Sequence, residues 1–144
     1  MREAGAIVAA CLVLLSQAAR AGVTTLELDR LAQDELSRRK AKSAFLGYHG
    51  FPASLCASIN SEVVHGIPSA KRRLQDGDIV SLDFGCIVRG FYADAAVTIA
   101  VGRIEPKTQR LLDVTRESLE KGIAAVKPEG RLGDVSWAVQ NHVE

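Results

Sequence analysis

Apolar side chains fall at helical spacing in four stretches of this chain and alternate with polar ones in the region between. Residues 2–20 carry a continuous apolar run from Ala6 to Leu15 and read as a buried helix that stops at Gly22. Thr24 with Glu27 three residues later has the form of a capping box, each side chain satisfying an orphan amide of the first turn. The helix it opens places Leu28, Leu31, Ala32 and Leu36 on one face and ends at Arg38-Arg39-Lys40, where cations suit the negative pole of the helix dipole.

From Ser43 to Pro68 helical periodicity disappears, and Gly47, Gly50, Pro52, Gly66 and Pro68 punctuate the chain. Within it Leu55, Ala57 and Ile59 alternate with Cys56, Ser58 and Asn60, the pattern of a two-faced strand. Gly77 to Asp83 reads as a further strand, and a tight reversal around Val88-Arg89-Gly90 returns Phe91 to Val101 beside it. A third helix is predicted from about Pro106 to Val126, with Leu111, Leu112, Thr115, Leu119, Ile123 and Val126 on one stripe. Lys127-Pro-Glu-Gly130 breaks it, and a fourth helix begins at Leu132. The order helix, helix, strand, hairpin, helix, helix predicts an α+β fold, an antiparallel sheet with helices packed on its outer face, in a single domain over 1–144.

The bulk numbers narrow the function. The chain's 144 residues suffice for one core, and a net charge of +1 with 24% charged residues gives no electrostatic case for DNA or an anionic membrane. The basic runs Arg38-Arg39-Lys40 and Lys71-Arg72-Arg73 read as solvated surface. Three cysteines, Cys11, Cys56 and Cys86, form no CxxC pair and leave one over, which excludes a disulfide framework or zinc knuckle and favours a reducing compartment. The Ala6–Leu15 run is too short to span a bilayer and, with Glu3 in its leading segment, reads as a helix in preference to an export signal.

The candidate chemistry lies in two acids. Asp83 and Asp94 sit in or beside apolar, β-branched runs, where a carboxylate neutralises, pairs with a cation or binds a metal. With the turn centred between Val88 and Arg89, the two are cross-strand partners, with Cβ atoms about 4.5–5.5 Å apart. Like carboxylates at that range repel unless a cation lies between them, so the pair has the makings of half a dinuclear metal centre. Oxygen ligands without a neighbouring cysteine suit Mn, Fe, Co or Zn in a hydrolytic site. His65, in Asn60-Ser-Glu-Val-Val-His-Gly-Ile-Pro68, is held by a loop that leaves a strand, and an imidazole there can donate to or accept from a reacting amide. Each residue also has a plainer reading. His65 and His49 can be surface turn histidines, His142 a solvated one, Asp83 a strand-end acid paired with an arginine, and Asp94 an edge residue.

Several motifs in one order carry a resemblance. Gly47-Tyr-His-Gly-Phe-Pro52, Asn60 to Pro68, Asp76-Gly-Asp-Ile-Val80, the Asp83–Asp94 spacing and Val126-Lys-Pro128 with Arg131-Leu-Gly-Asp134 resemble type I methionine aminopeptidases over the whole chain. The resemblance implies the N-terminal half of the pita-bread (creatinase/aminopeptidase) fold, and removal of the N-terminal methionine of nascent proteins by two divalent metal ions. It makes Asp83 the terminal and Asp94 the bridging metal ligand. His65 becomes a catalytic residue contacting the substrate, and Phe45, Tyr48, Phe51 and Cys56 line the pocket for the methionine side chain, a lining apt for a flexible thioether. It further implies a cytoplasmic enzyme whose partners are nascent chains, with the ribosome as a candidate.

Two departures from the family pattern qualify this. Ala93-Asp-Ala-Ala96 lacks the hydroxyls the family usually carries beside the bridging acid, which weakens support for that ligand. The family's second half also supplies one histidine and two glutamate ligands and a second catalytic histidine, all beyond Glu144. The expectation is therefore an incomplete aminopeptidase, inactive or nearly so alone. The alternatives are a non-catalytic binding module on the same fold, or another metallopeptidase of the superfamily, such as a proline-specific one.

Overall fold

Helices α1 (Arg2–Ala18) and α2 (Thr25–Arg38) form where the apolar spacing puts them in the computed structural model, which describes residues 1–144. The capping box closes: Glu27 N–H donates to Thr24 Oγ1 at 3.2 Å, and Thr24 N–H donates to the Glu27 carboxylate at 2.7 Å. Helix α1 buries Ala4, Ile7, Val8, Cys11 and Leu15, so the apolar run of residues 6–15 is core. No helix of the chain is long and apolar enough to cross a membrane.

The strands are β1 (Lys42–Ser43), β2 (Leu55–Ile59), β3 (Ile79–Val88) and β4 (Phe91–Ala100), all antiparallel. Strand β3 is central, with β4 along one edge and β2 and the short β1 along the other. Period-two alternation sorts its side chains. Val80, Leu82, Phe84 and Cys86 are fully buried in one cluster with Leu15, Leu28 and Leu36 of the helices. Ser81, Asp83 and Gly85 point to the opposite face, and that face carries the site.

The hairpin register differs from the sequence expectation. The turn is Arg89-Gly90, both at positive φ (49° and 81°), and Val88 pairs with Phe91. Asp83 therefore pairs with Ala96, and Asp94 with Gly85. The two acids share a face as diagonal neighbours, a separation of about 7–8 Å, instead of standing directly opposed. The reason is local: a two-residue turn whose twist matches the strands needs positive φ at both central residues. Gly90 adopts this freely, whereas a turn centred one residue earlier would force it on β-branched Val88.

The basic runs lie at the surface, as expected, and also make specific pairs. Arg38 and Arg39 both pair with Glu35, which is 2% exposed, Arg72 pairs with Glu62, and Arg73 donates to the Gly22 carbonyl. Residues Glu105–Glu144 form a separate compact unit, helices α3 (Pro106–Ala125) and α4 (Leu132–Val143). Helix α3 meets α4 at Gly122, where an added Cβ would lie 2.9 Å from Val139 Cγ2. Of its predicted stripe, Leu111, Leu119, Ile123 and Val126 are exposed. His142, expected to be solvated, is half-buried with its Nε2 3.0 Å from the Glu117 carboxylate.

One buried carboxylate ties helix to sheet. Asp29 on α2 is 3% exposed; its Oδ1 accepts from the backbone N–H groups of Ser54 (2.8 Å) and Leu55 (3.0 Å), and its Oδ2 from Gln33 Nε2 (2.7 Å). These bonds fix the chain where it enters β2, just before Cys56. Asp29→Ala leaves two buried N–H groups without acceptors and is expected to destabilise the fold by about 2–4 kcal/mol in chemical denaturation. Asp29→Asn keeps an acceptor oxygen and is expected to cost less than half as much.

Candidate functional site

Four parts of the first unit enclose a cavity of about 840 Å³ on the open face of the sheet. Phe45, Tyr48 and Phe51 come from the loop between β1 and β2, Cys56 from β2, His65 and Ile67 from the loop after β2, and Asp83, Tyr92 and Asp94 from β3 and β4. The cavity thus brings together all seven candidates named from sequence, and also His49, which local sequence left ambiguous.

The aromatic loop is shaped by its own hydrogen bonds. Ser43 Oγ accepts from the N–H groups of Phe45 (3.1 Å) and Leu46 (3.0 Å), and Ala44 N–H donates to the Gly85 carbonyl at 3.0 Å. A 3-10 turn over Tyr48–Gly50 follows, with His49 in the left-handed region at φ 46° and its ring 4.4 Å, edge on, from that of Tyr48. Reversals within the Phe45–Phe51 segment bring Phe45, Tyr48 and Phe51 to one cavity.

The histidine loop is pinned on both sides. Ser58, 3% exposed, accepts from Gly66 N–H at 3.0 Å, and Ala57 N–H donates to the Gly66 carbonyl at 2.9 Å. A Cβ at position 66 would lie 2.3 Å from the Ala57 carbonyl oxygen, so only glycine permits this approach. Glu62 accepts from Ile59 N–H at 2.8 Å and pairs with Arg72, which donates to the Ile67 carbonyl at 3.2 Å. The Ile59 amide first, and then Arg72, hold the Glu62 carboxyl below the usual carboxylate range. His65, at φ 60°, is exposed between these anchors. Ser58, Glu62 and Arg72 were not evident as site residues from sequence, where Ser58 was one polar position of a strand and Arg72 part of a basic run. The available signal was the short polar Ser and Glu flanking a loop that must turn sharply.

Asp83 is the electrostatic centre. Its Oδ1 is buried with no hydrogen-bond partner. Burial first, and then the neighbouring Asp94 carboxylate, raise its pKa from the ordinary 3.8 to about 6, with His65 acting in the opposite sense. An orphaned carboxylate oxygen beside a second carboxylate is a donor set for a cation, so the two acids fit a metal ion. They do not complete a site: nowhere does the chain gather three His, Cys, Asp or Glu side chains at metal-ligand spacing. The hydroxyls next along this face, Ser81 and Thr98, bond to each other, and Asp83's cross-strand partner is Ala96. Cys56 stands beside Asp83 across β2 and β3; burial, then Asp83 and Asp94, push its thiol up to about 11. It is neutral at pH 7, a soft lining group and no nucleophile.

Residues 1–144 match the profile of metallopeptidase family M24. The chain belongs to that family. The methionine aminopeptidase of Clostridium acetobutylicum is 49% identical over 144 residues, all of this chain and 58% of that protein. A solved methionine aminopeptidase from Thermotoga maritima superposes with a TM-score of 0.97 at 41% identity, covering 99% of this chain and 57% of that one. The prolidase of Pyrococcus furiosus, at 17% identity and a TM-score of 0.83, shares the fold; the match covers 98% of this chain and 40% of that one. The architecture is thus the pita-bread fold of these metallopeptidases. This M24 chain spans somewhat over half the length of the methionine aminopeptidases it matches.

Two outcomes are expected. Gly66→Ala forces backbone apart at a buried hydrogen-bonded crossing and lowers stability by about 2 kcal/mol or more, measured by denaturant titration. Asp83, with its folded-state pKa raised, contributes stability that is fully present below about pH 4 and is lost as pH rises through about 6. Stability of the unaltered chain should therefore fall between pH 4 and 7 without added metal. In Asp83→Asn that fall should flatten, leaving the variant more stable at pH 7 by about 1–2 kcal/mol.

Proposed function

We propose that this chain carries the substrate pocket and part of the metal centre of an aminopeptidase that removes the N-terminal methionine from nascent proteins. The observation that carries the reading is the buried, unpartnered Asp83 oxygen facing the same cavity as Asp94, His65 and an aromatic-lined space. Asp83 and Asp94 would hold divalent ions, two in the complete centre, from Mn, Fe, Co or Zn. When bound, such ions supply a water activated at neutral pH and a Lewis acid for the scissile carbonyl.

The chain's own residues supply the rest. Phe45, Tyr48, Phe51 and the neutral Cys56 thiol offer an apolar, polarisable pocket for a methionine side chain. His65, held at the rim by Gly66, Ser58 and the Glu62–Arg72 pair, presents its ring to the peptide bond and can donate to the amide as charge develops there. The acids line the same cavity as the aromatic residues, so a methionine side chain in the aromatic part would leave its terminal amine and first peptide bond to the acids and His65.

Three further ligands, one histidine and two glutamates in the resemblance, would come from sequence outside these 144 residues. The retained carboxylate pair favours this reading over a non-catalytic module, in which nothing would maintain an uncompensated buried charge. The soft aromatic pocket favours methionine over proline. The setting proposed is the cytoplasm, with nascent chains as substrates and the ribosome as a partner.

Mn(II) or Co(II) should stabilise the chain at pH 7, by about 1 kcal/mol at several times the dissociation constant, and Asp83→Asn should abolish the effect. With either metal the 144-residue chain should release at most traces of methionine from Met-Ala-Ser. Robust turnover would contradict the claim that two carboxylates are too few, and absence of any metal response at Asp83 would contradict the metal reading.

A further inference from the structure

Gly85 is the one residue of β3 on the site face with no side chain, and it pairs with Asp94. A Cβ built there would lie 2.8 Å from Phe45 Cε1 and 3.1 Å from Ala44 Cβ. Carbon atoms in contact prefer about 3.5–4.0 Å, so the strand leaves a notch into which the edge of the Phe45 ring is sunk. The ring has little freedom elsewhere. Ser43 Oγ holds the Phe45 and Leu46 amides, and the Ala44 amide is bonded to the Gly85 carbonyl itself. The backbone of Phe45 is thus fixed to the same strand that its ring leans on. Phe45 lines the cavity, so a Cβ at position 85 that displaces the ring away from β3 moves a cavity wall.

We infer that Gly85 is a specificity-determining residue: by receiving the Phe45 ring, it sets the width of the cavity and so the largest first side chain the site admits. This rests on the methionine reading proposed above and names the residue that limits it. An isolated glycine inside a strand pattern marks close approach of another group, and here that group is a pocket wall. A pocket bounded by two other aromatic loop residues cannot absorb a displaced ring without losing space. The loss from a Cβ at position 85 is about one methylene, which in an apolar pocket is worth about tenfold in affinity.

The test uses the 144-residue chain, NMR, and two amino-acid amides as probes: L-methioninamide and the shorter L-norvalinamide. In Gly85→Ala, nuclear Overhauser contacts from the Phe45 ring to the backbone of residue 85 should weaken while those to Tyr48 and His65 strengthen. Binding of methioninamide should fall about tenfold and that of norvalinamide less than about twofold. Adding Phe45→Leu to Gly85→Ala should restore methioninamide binding. Phe45→Leu alone, which leaves the glycine in place, should improve binding of the longer L-ethioninamide relative to methioninamide, a reading that survives if Gly85→Ala does not fold. A Phe45 ring that stays in place, or a displaced ring with unchanged size preference, overturns the inference while leaving the pocket reading intact. An unaltered chain that binds neither probe, with the ring displaced as expected, refutes the methionine reading and with it the specificity role, leaving Gly85 a packing residue.

Discussion

A carboxylate held in the wall of a sheet with one oxygen buried and unpartnered is the constraint that gives the first unit its meaning. Asp83 Oδ1 is buried and unbonded, and a second acid lies diagonally across the strand pair. Such a group is costly in a purely structural role, because burial and like charge both oppose its ionisation. The chain tolerates it because the rest of the sheet is tightly held. The opposite side of β3 is fully buried against two helices, and Asp29 anchors the entry to β2 with two backbone hydrogen bonds. Stability is concentrated on one face of the sheet and chemical tension on the other.

The loops around that tension are positioned by backbone contacts that few residues allow. Gly66 lets the histidine loop lie against β2, Gly85 receives an aromatic ring, and the Arg89-Gly90 turn sets the register that puts both acids on one face. Small polar side chains then lock each loop: Ser43 under Phe45, Ser58 under Gly66, Glu62 with Arg72 beside His65. The reactive candidates are consequently on loops and strand faces, while the residues that aim them act through hydrogen bonds to the loop backbone and through ion pairs.

Much of this was legible in the sequence because it follows short-range rules. The Thr24–Glu27 capping box and the period of α1 and α2 depend on neighbours a few residues apart and appear in the structure; strand β2 appears too, but Leu55, Cys56, Ala57 and Ser58 are all buried, so its apolar and polar positions do not alternate in exposure. The hairpin was legible but its register was displaced, since the choice between turn centres depends on which residue tolerates positive φ, and Val88 does not. The convergence of Phe45, Tyr48, Phe51, Cys56 and His65 was available only through a family resemblance, because local sequence does not separate pocket lining from core. Arg72 and Ser58 escaped notice for a different reason. Their partners lie ten and eight residues away across a loop whose path no periodicity reports.

What is proposed for the cavity depends on Asp83 and Asp94 forming a cation site in its lining. The most direct measurement is the NMR spectrum of the chain titrated with substoichiometric Mn(II), whose unpaired electrons broaden nuclei close to the ion. Broadening is expected to centre on Asp83, Asp94, Cys56, His65 and Ala96, and to be lost in Asp83→Asn. Broadening spread evenly over surface acids, or centred away from this strand pair, would contradict the cation site.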